Sequence, residues 1–166
     1  MVNIHKSTLK LLLLVVLSGF GTLLGQPRIT SVFNAADYSI DLAPGSNVAI
    51  FGSGFATSDA TASGLPLPTT LGGASVDISG TPMVLRTVSA GVINGQLPYG
   101  ISGTVSVTVK NATGTSTAVP VTIIPNAPKF YTTLKDGIGY VVATHADFSL
   151  VSVTGAAAAM PGETII

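Results

Sequence analysis

Cysteine and tryptophan are both absent from the 166 residues, and only 8% of positions are charged. Without cysteine there are no disulfides, no thiolate metal ligands, no cysteine nucleophile and no thiol to carry a lipid anchor. The seven Lys and Arg residues balance seven Asp and Glu. Nucleic-acid affinity is built from clustered basic side chains that neutralise phosphates, so so sparse a basic complement excludes that class of partner. The lack of tryptophan also bears on sugar recognition, which often stacks a pyranose ring on an aromatic plane. Four tyrosines, Tyr38, Tyr99, Tyr131 and Tyr140, are scattered and point to corners and ends of the fold rather than to a planar platform.

What the chain does have is glycine (19), proline (10) and abundant Thr and Ser among 46% hydrophobic residues. The first ten residues carry Lys6 and Lys10, then Leu11-Leu-Leu-Leu-Val-Val-Leu17 is continuous and apolar, and small residues follow up to Gly25. This is the order of an export signal, and its apolar part is shorter than the ~20 residues that span a bilayer. Residues 1–25 are therefore expected to be a cleaved signal peptide, with Gly25/Gln26 as the cut, and no membrane span is expected after it. The remaining chain holds five basic against seven acidic residues, a small negative charge that steers no particular partner.

From Arg28 onward the apolar period is two, punctuated by Gly, Pro and Asn, and this predicts short strands over 29–33, 47–51, 74–79, 83–88, 92–97, 104–110 and 116–124. In Thr104-Val-Ser-Val-Thr-Val-Lys110 one face is all valine and the other polar, so one side is buried and the other wet. The turn Asn111-Ala-Thr-Gly114 makes this run and 116–124 a hairpin, with Pro120 placed at an edge. Seven short strands in about a hundred residues predict an all-β, immunoglobulin-like two-sheet sandwich over 26–125. The polar stretch 56–70 reads as a surface connector.

Pro125-Asn-Ala-Pro128 marks a boundary. Residues 126–166 are expected to be a linker and the truncated start of a second β domain. Strands are predicted at 130–134, 140–144 and 149–153, with a turn at 135–139 and a bend at His145-Ala-Asp147. Ala159-Met-Pro-Gly-Glu-Thr-Ile-Ile166 repeats the pattern of Leu42-Ala-Pro-Gly-Ser-Asn-Val-Ala-Ile50, a Pro-Gly turn leading into a β-branched strand. In the first copy the strand runs on through Phe51-Gly-Ser-Gly-Phe55, whereas Thr164 to Ile166 are expected to present an unpaired edge.

Several blocks together resemble the C-terminal module of secreted proteins from soil acidobacteria of the Solibacter kind, a relative of the immunoglobulin-like IPT/TIG domains. They are Asn34-Ala-Ala, Leu42-Ala-Pro-Gly-Ser-Asn-Val-Ala-Ile-Phe-Gly52, Leu67-Pro-Thr-Thr-Leu-Gly-Gly-Ala-Ser-Val76, Ile93-Asn-Gly-Gln-Leu-Pro-Tyr99 and Ala127-Pro-Lys-Phe130. Val92 departs from the pattern, where relatives carry Gln. The resemblance implies an extracellular β-sandwich unit of a longer secreted protein and brings no catalytic residue with it.

Residue by residue, the chemistry is sparse. A Ser-His-Asp triad needs a histidine base, and His145 beside Asp147 is the one histidine left after the signal; no Gly-x-Ser-x-Gly elbow accompanies it. Asp37, Asp41, Asp77 and Glu163 read as turn or strand-face acids rather than a glycosidase pair. Asp37, Asp41 and Asp59 are the candidates for a calcium loop, but the Asp-x-Asp-x-Asp-Gly spacing is missing. Gly52-x-Gly54 and Gly72-Gly73 lack the Lys-Ser/Thr ending of a phosphate loop. Asn111-Ala-Thr113 matches a glycosylation acceptor but reads as turn chemistry. No residue is assigned as catalytic, cofactor-binding or metal-ligating, and no cofactor is expected. The expectation is a non-enzymatic, exported module, secreted or in the cell envelope, with a structural or adhesive role. Its partners would be neighbouring domains or cell-surface components meeting exposed strand edges. The alternative is a weak glycan-binding module.

Overall fold

Alternating small apolar and hydroxylated side chains favour extended backbone, because each β-branched residue packs on one face while its neighbours meet water. The computed structural model describes residues 25–134, 137–152 and 155–166. Its strands run in chain order from β1 (Arg28–Asn34) and β2 (Asn47–Ser53) through the two-residue β3 (Ala60–Thr61) and β4 (Thr70–Leu71) to β5 (Ala74–Ile78). The short β6 (Thr81–Pro82) precedes β7 (Val84–Val88) and β8 (Val92–Gln96). The long β9 (Gly103–Asn111), the short β10 (Gly114–Thr115) and β11 (Val119–Ile123) complete the set.

The strands form two antiparallel sheets. One has the order β1-β2-β8-β7-β3; in the other β9 pairs with β5 on one side and with β10 and β11 on the other, while β4 and β6 pair with β5. This is the expected immunoglobulin-like sandwich, and all seven predicted strands of residues 26–125 are present. Val48, Ile50, Leu85 and Ile93 of the first sheet and Val76, Ile78, Val107 and Val109 of the second share one buried cluster, none more than 1% exposed. Leu42, Phe55, Met83 and Leu97, from the connections, belong to the same core. Each such side chain contributes about 1.5–3 kcal/mol by leaving water. The hairpin of β9 and β11 pairs Val107 with Val119 and Val105 with Val121. Pro120 lies in β11, which pairs with β9 and meets Leu42 on its other side at Ile123 alone, so the missing N–H at Pro120 breaks no inner bond.

Two expectations need correction. The stretch 56–70 is not only a connector, since Ala60–Thr61 pairs with β7 as the last strand of the first sheet. A two-residue pairing is held by backbone bonds and has no side-chain period to read. Among the described residues, the three strands predicted beyond residue 126 form only isolated bridges, Thr132 with Val141, Thr144 with Leu150 and Ser152 with Ala158. These segments have no facing sheet to bury a continuous apolar row, so pairing stops after one rung. A 3-10 turn, Gly155–Ala157, was not anticipated. The expected signal lies outside the described residues except for Gly25, as do Lys135 and Asp136 of the predicted turn and Val153 of the third predicted strand.

Gly52 shows how closely β1 and β2 approach: a Cβ there would overlap the Arg28 carbonyl and the Phe55 ring. Gly52→Ala is expected to cost about 1–3 kcal/mol by overpacking, and Phe55→Ala about 3–5 kcal/mol by leaving a cavity, both read from urea denaturation. A loss below 1 kcal/mol for Phe55→Ala would contradict its place in the core.

Candidate functional site

Three of the chain's few charges, Asp37, Asp41 and Lys129, meet at the end of the sandwich where residues 126–166 begin. Asn34 closes β1 by accepting the Ala36 amide on its side-chain oxygen at 3.0 Å and donating to the Asp41 carbonyl at 3.1 Å. Asp37 accepts the Ser39 amide (3.0 Å) and hydroxyl (2.7 Å), which turns the chain with Tyr38 at φ 56°. The Lys129 ammonium then reaches both Asp37 (2.8 Å) and Asp41 (3.0 Å). Partial burial opposes ionisation of Asp37, but the bonds from Lys129 and Ser39 outweigh it and hold the carboxyl below its ordinary value. The Asp37 bond first, then that from Asp41, raises Lys129. The two acids considered as calcium ligands do converge, and the cation they hold is Lys129. Asp59 is exposed and lies outside this cluster. The backbone bond from Ile124 to the Leu42 carbonyl (2.8 Å) adds a second attachment at the same end.

Residues 144–166 rebuild this end of the sandwich. Asp147 accepts the Ser149 amide (2.9 Å) and hydroxyl (2.6 Å), as Asp37 does with Ser39, and Phe148 is left-handed at φ 66° like Tyr38. In the first Pro-Gly turn the Ser46 amide donates to the Ala43 carbonyl (3.0 Å), and its hydroxyl accepts the Ala43 amide (3.1 Å). In the second, the Glu163 amide donates to the Met160 carbonyl (3.1 Å), and its carboxylate accepts the Met160 amide (2.9 Å). The recurrence is therefore longer than the Pro-Gly block alone. Ala-Asp-aromatic-Ser at 36–39 and at 146–149 was the signal that sequence reading missed. The expectation of an unpaired edge at Thr164 to Ile166 is corrected at Ile166, which exchanges both backbone bonds with Thr144 at 2.9 Å.

His145 ties this second copy together. Its Nδ1 pairs with Glu163 and its Nε2 lies 3.1 Å from the Ala157 carbonyl. With Glu163 ionised both partners accept, so the protonated ring can satisfy the two of them at once, in keeping with the raised value of His145. Both ring nitrogens are therefore engaged by groups of residues 157–163. Glu163 first, and the Ala157 carbonyl second, raise His145 above its ordinary 6.5; the His145 bond, then the Met160 amide, lower Glu163 below its ordinary 4.5. Asp147, the other charge facing the ring, is lowered chiefly by the Ser149 hydroxyl.

The other sequence candidates stay apart from this cluster. Asp77 accepts the Gly80 amide at 2.6 Å and shapes a turn. Gly54, Phe55, Gly72, Gly73, Asn111 and Thr113 line a cleft of about 280 Å³ at the opposite end. There the Asn111 amide is spent on the Gly54 and Phe55 carbonyls (2.6 and 3.1 Å) and its oxygen on Thr113, as a turn residue's would be. The aromatic rings are less scattered than expected. Phe51 on the outer face of the first sheet meets Phe33 and Tyr38 at centroid distances of 6.1 and 6.0 Å, but inclined at 60° and 59°, so they make no flat platform. Beside them a depression of about 260 Å³ is lined by Asn47, Arg86, Thr87, Asn94 and Tyr131, a grouping that only the sheet register assembles.

The His145–Glu163 pair sets a pH window for residues 144–166. Because the His145 value is raised, its contribution is present below 6.5 and lost as pH rises through the raised value. Because Glu163 is lowered, its contribution is present above 4.5 and lost as pH falls through the lowered value. Protection of the Thr144 and Ile166 amides, their exchange relative to that of an unstructured chain at the same pH, is therefore expected to be greatest between about pH 4.5 and 6.5 and to fall on either side, and His145→Ala to abolish that dependence. A flat profile in the native chain would refute the pairing.

No curated protein matches the chain. Among solved structures, a gamma-CGTase from alkalophilic Bacillus clarkii aligns with 25% identity and a TM-score of 0.45, over 60% of this chain and 12% of that one. The family model described as IPT/TIG domain matches residues 27–123, which contain both sheets and the turns that receive Lys129. More than half of the sequence lies within that match, and the chain belongs to the IPT/TIG domain family.

Proposed function

We propose that this chain is a non-enzymatic structural or adhesive module of an exported protein, and that its neighbours pack on residues 130–166. The family is one of non-catalytic, immunoglobulin-like structural and interaction domains. The observation that carries the reading is the second copy of the sandwich's opening turns. In the first copy the strand after the Pro-Gly turn buries Val48 and Ile50 completely; in the second, Ile165 and Ile166 are 45% and 64% exposed. Phe130, Leu134, Tyr140, Phe148, Leu150 and Met160 are 64–76% exposed on the same segment. An apolar surface of this kind needs covering, and contiguous exposed apolar patches mark interaction sites. Lys129 fixes the segment to the sandwich, so that a neighbour would be held at a set position rather than on a loose tether. The acidobacterial kinship and the export signal of residues 1–25 belong to the same reading.

Limited proteolysis of the full chain is expected to cut within 126–166 well before any bond of 28–125, and equal resistance would overturn the exposed-interface reading. The exported fraction of the native cell is expected to hold a product that begins at Gln26. Recovery of residues 1–25 on the membrane-bound protein would replace the signal by an anchor.

Weak glycan binding is the second reading, supported by the depression lined by Asn47, Arg86, Asn94 and Tyr131. A saturable change in tyrosine fluorescence with a polysaccharide supports it; silence across a broad panel of neutral and acidic glycans removes it.

A further inference from the structure

We propose that the outer face of the first sheet holds a binding site for a carboxylate-bearing sugar, with Arg86 taking the carboxylate; this rests on the glycan-binding reading above. The site begins with a fault in the strand. In regular pairing Arg86 and Thr87 would face opposite sides of the sheet. The register of β7 on β8 instead shifts between Leu85 and Thr87, leaving Leu85 and Val88 buried while Arg86 is exposed and Thr87 half-buried. A bulge of this type re-aims side chains, and here it sets two consecutive polar residues beside Asn94.

The groups around the depression have hydrogen-bonding capacity to spare. The Arg86 guanidinium has no hydrogen-bond or ion-pair partner among the described residues, which leaves five donors uncommitted. The Asn47 side chain is also without a partner there, and Asn94 donates to the Thr87 hydroxyl at 2.9 Å while its oxygen stays open. Tyr131, 46% exposed, brings a ring and a hydroxyl from beyond the boundary at 125–128.

The shape and chemistry select the ligand. A volume of about 260 Å³ is below the ~300–1,000 Å³ of pockets for drug-sized ligands and suits a single sugar ring. Asparagine amides both donate and accept, as sugar hydroxyls do, and the Tyr131 ring offers an apolar face to the C–H side of a pyranose. Strand addition by a peptide is not available here, because β2, β8 and β7 already have a neighbour on each side. A planar guanidinium fork matches a carboxylate with two parallel bonds, and no Asp or Glu lines the depression to compete for it.

The test is calorimetric titration of the full chain with a galacturonic-acid trimer and with the neutral galactose trimer. The acidic trimer is expected to bind at least tenfold more tightly. Arg86→Ala should bring it down to the neutral level, and Arg86→Lys, which keeps the charge but loses the fork, should retain part of the difference. Equal binding of the two trimers, unchanged in Arg86→Ala, overturns the carboxylate assignment and leaves the glycan reading standing. Acid-selective binding lost in Lys110→Ala but kept in Arg86→Ala overturns the location. Binding of neither trimer, with no response from any glycan in the panel, overturns both. Arg86 is exposed and outside the core, so circular dichroism of both Arg86 variants is expected to match that of the native chain.

Discussion

Everything in this molecule depends on two sheets burying one face each against the other. The strands are short and weak as individual elements; Ile50 and Ile93 on one side and Val76 and Val107 on the other make them stable together. Once that core fixes the register, the opposite faces of the same strands are fixed as well. The row Phe33, Ala49, Asn94 and Thr87 across β1, β2, β8 and β7 is a by-product of core pairing, yet it decides which side chains meet on the outer face. The bulge at Arg86 is the one place in β7 where the face pattern breaks, and it sets an uncommitted guanidinium beside Asn94.

With so few charges, their placement is informative. Lys129 and His145 do related work at two levels of the chain, each closing a turn region by meeting carboxylates that the backbone has already brought near. The first closure sits on a completed sandwich. The second sits on a segment with the same turns and no facing sheet, where isolated bridges take the place of ladders. The difference lies in what covers the turns, since the turns themselves are built alike.

The IPT/TIG domain family is a non-catalytic, immunoglobulin-like one, and the role proposed above is one of contact. In the proposals made above two surfaces divide that role, the apolar segment 130–166 for a protein neighbour and the polar depression on the first sheet for a small hydrated ligand. Tyr131 belongs to the first segment and lines the second site, so a neighbour that moved residues 130–132 would also reshape the depression.

The strands of residues 26–125, the inward valines, the edge position of Pro120 and the two Pro-Gly turns could be read from the residues alone, because period-two burial and turn chemistry are local and each leaves a mark in the order of side chains. The pairing of Ala60–Thr61 with β7 could not, since two residues have no period and the bond is made by backbone. Nor could the convergence of Asp37 and Asp41 on Lys129, or of His145 on Glu163, which join residues 88 to 92 and 18 positions apart. Which polar residues share the outer face with Arg86 was likewise left to the tertiary structure, because a one-residue register shift between strands reassigns every neighbour across them. Local order determined the elements; only their packing decided where the charged and hydrogen-bonding groups meet.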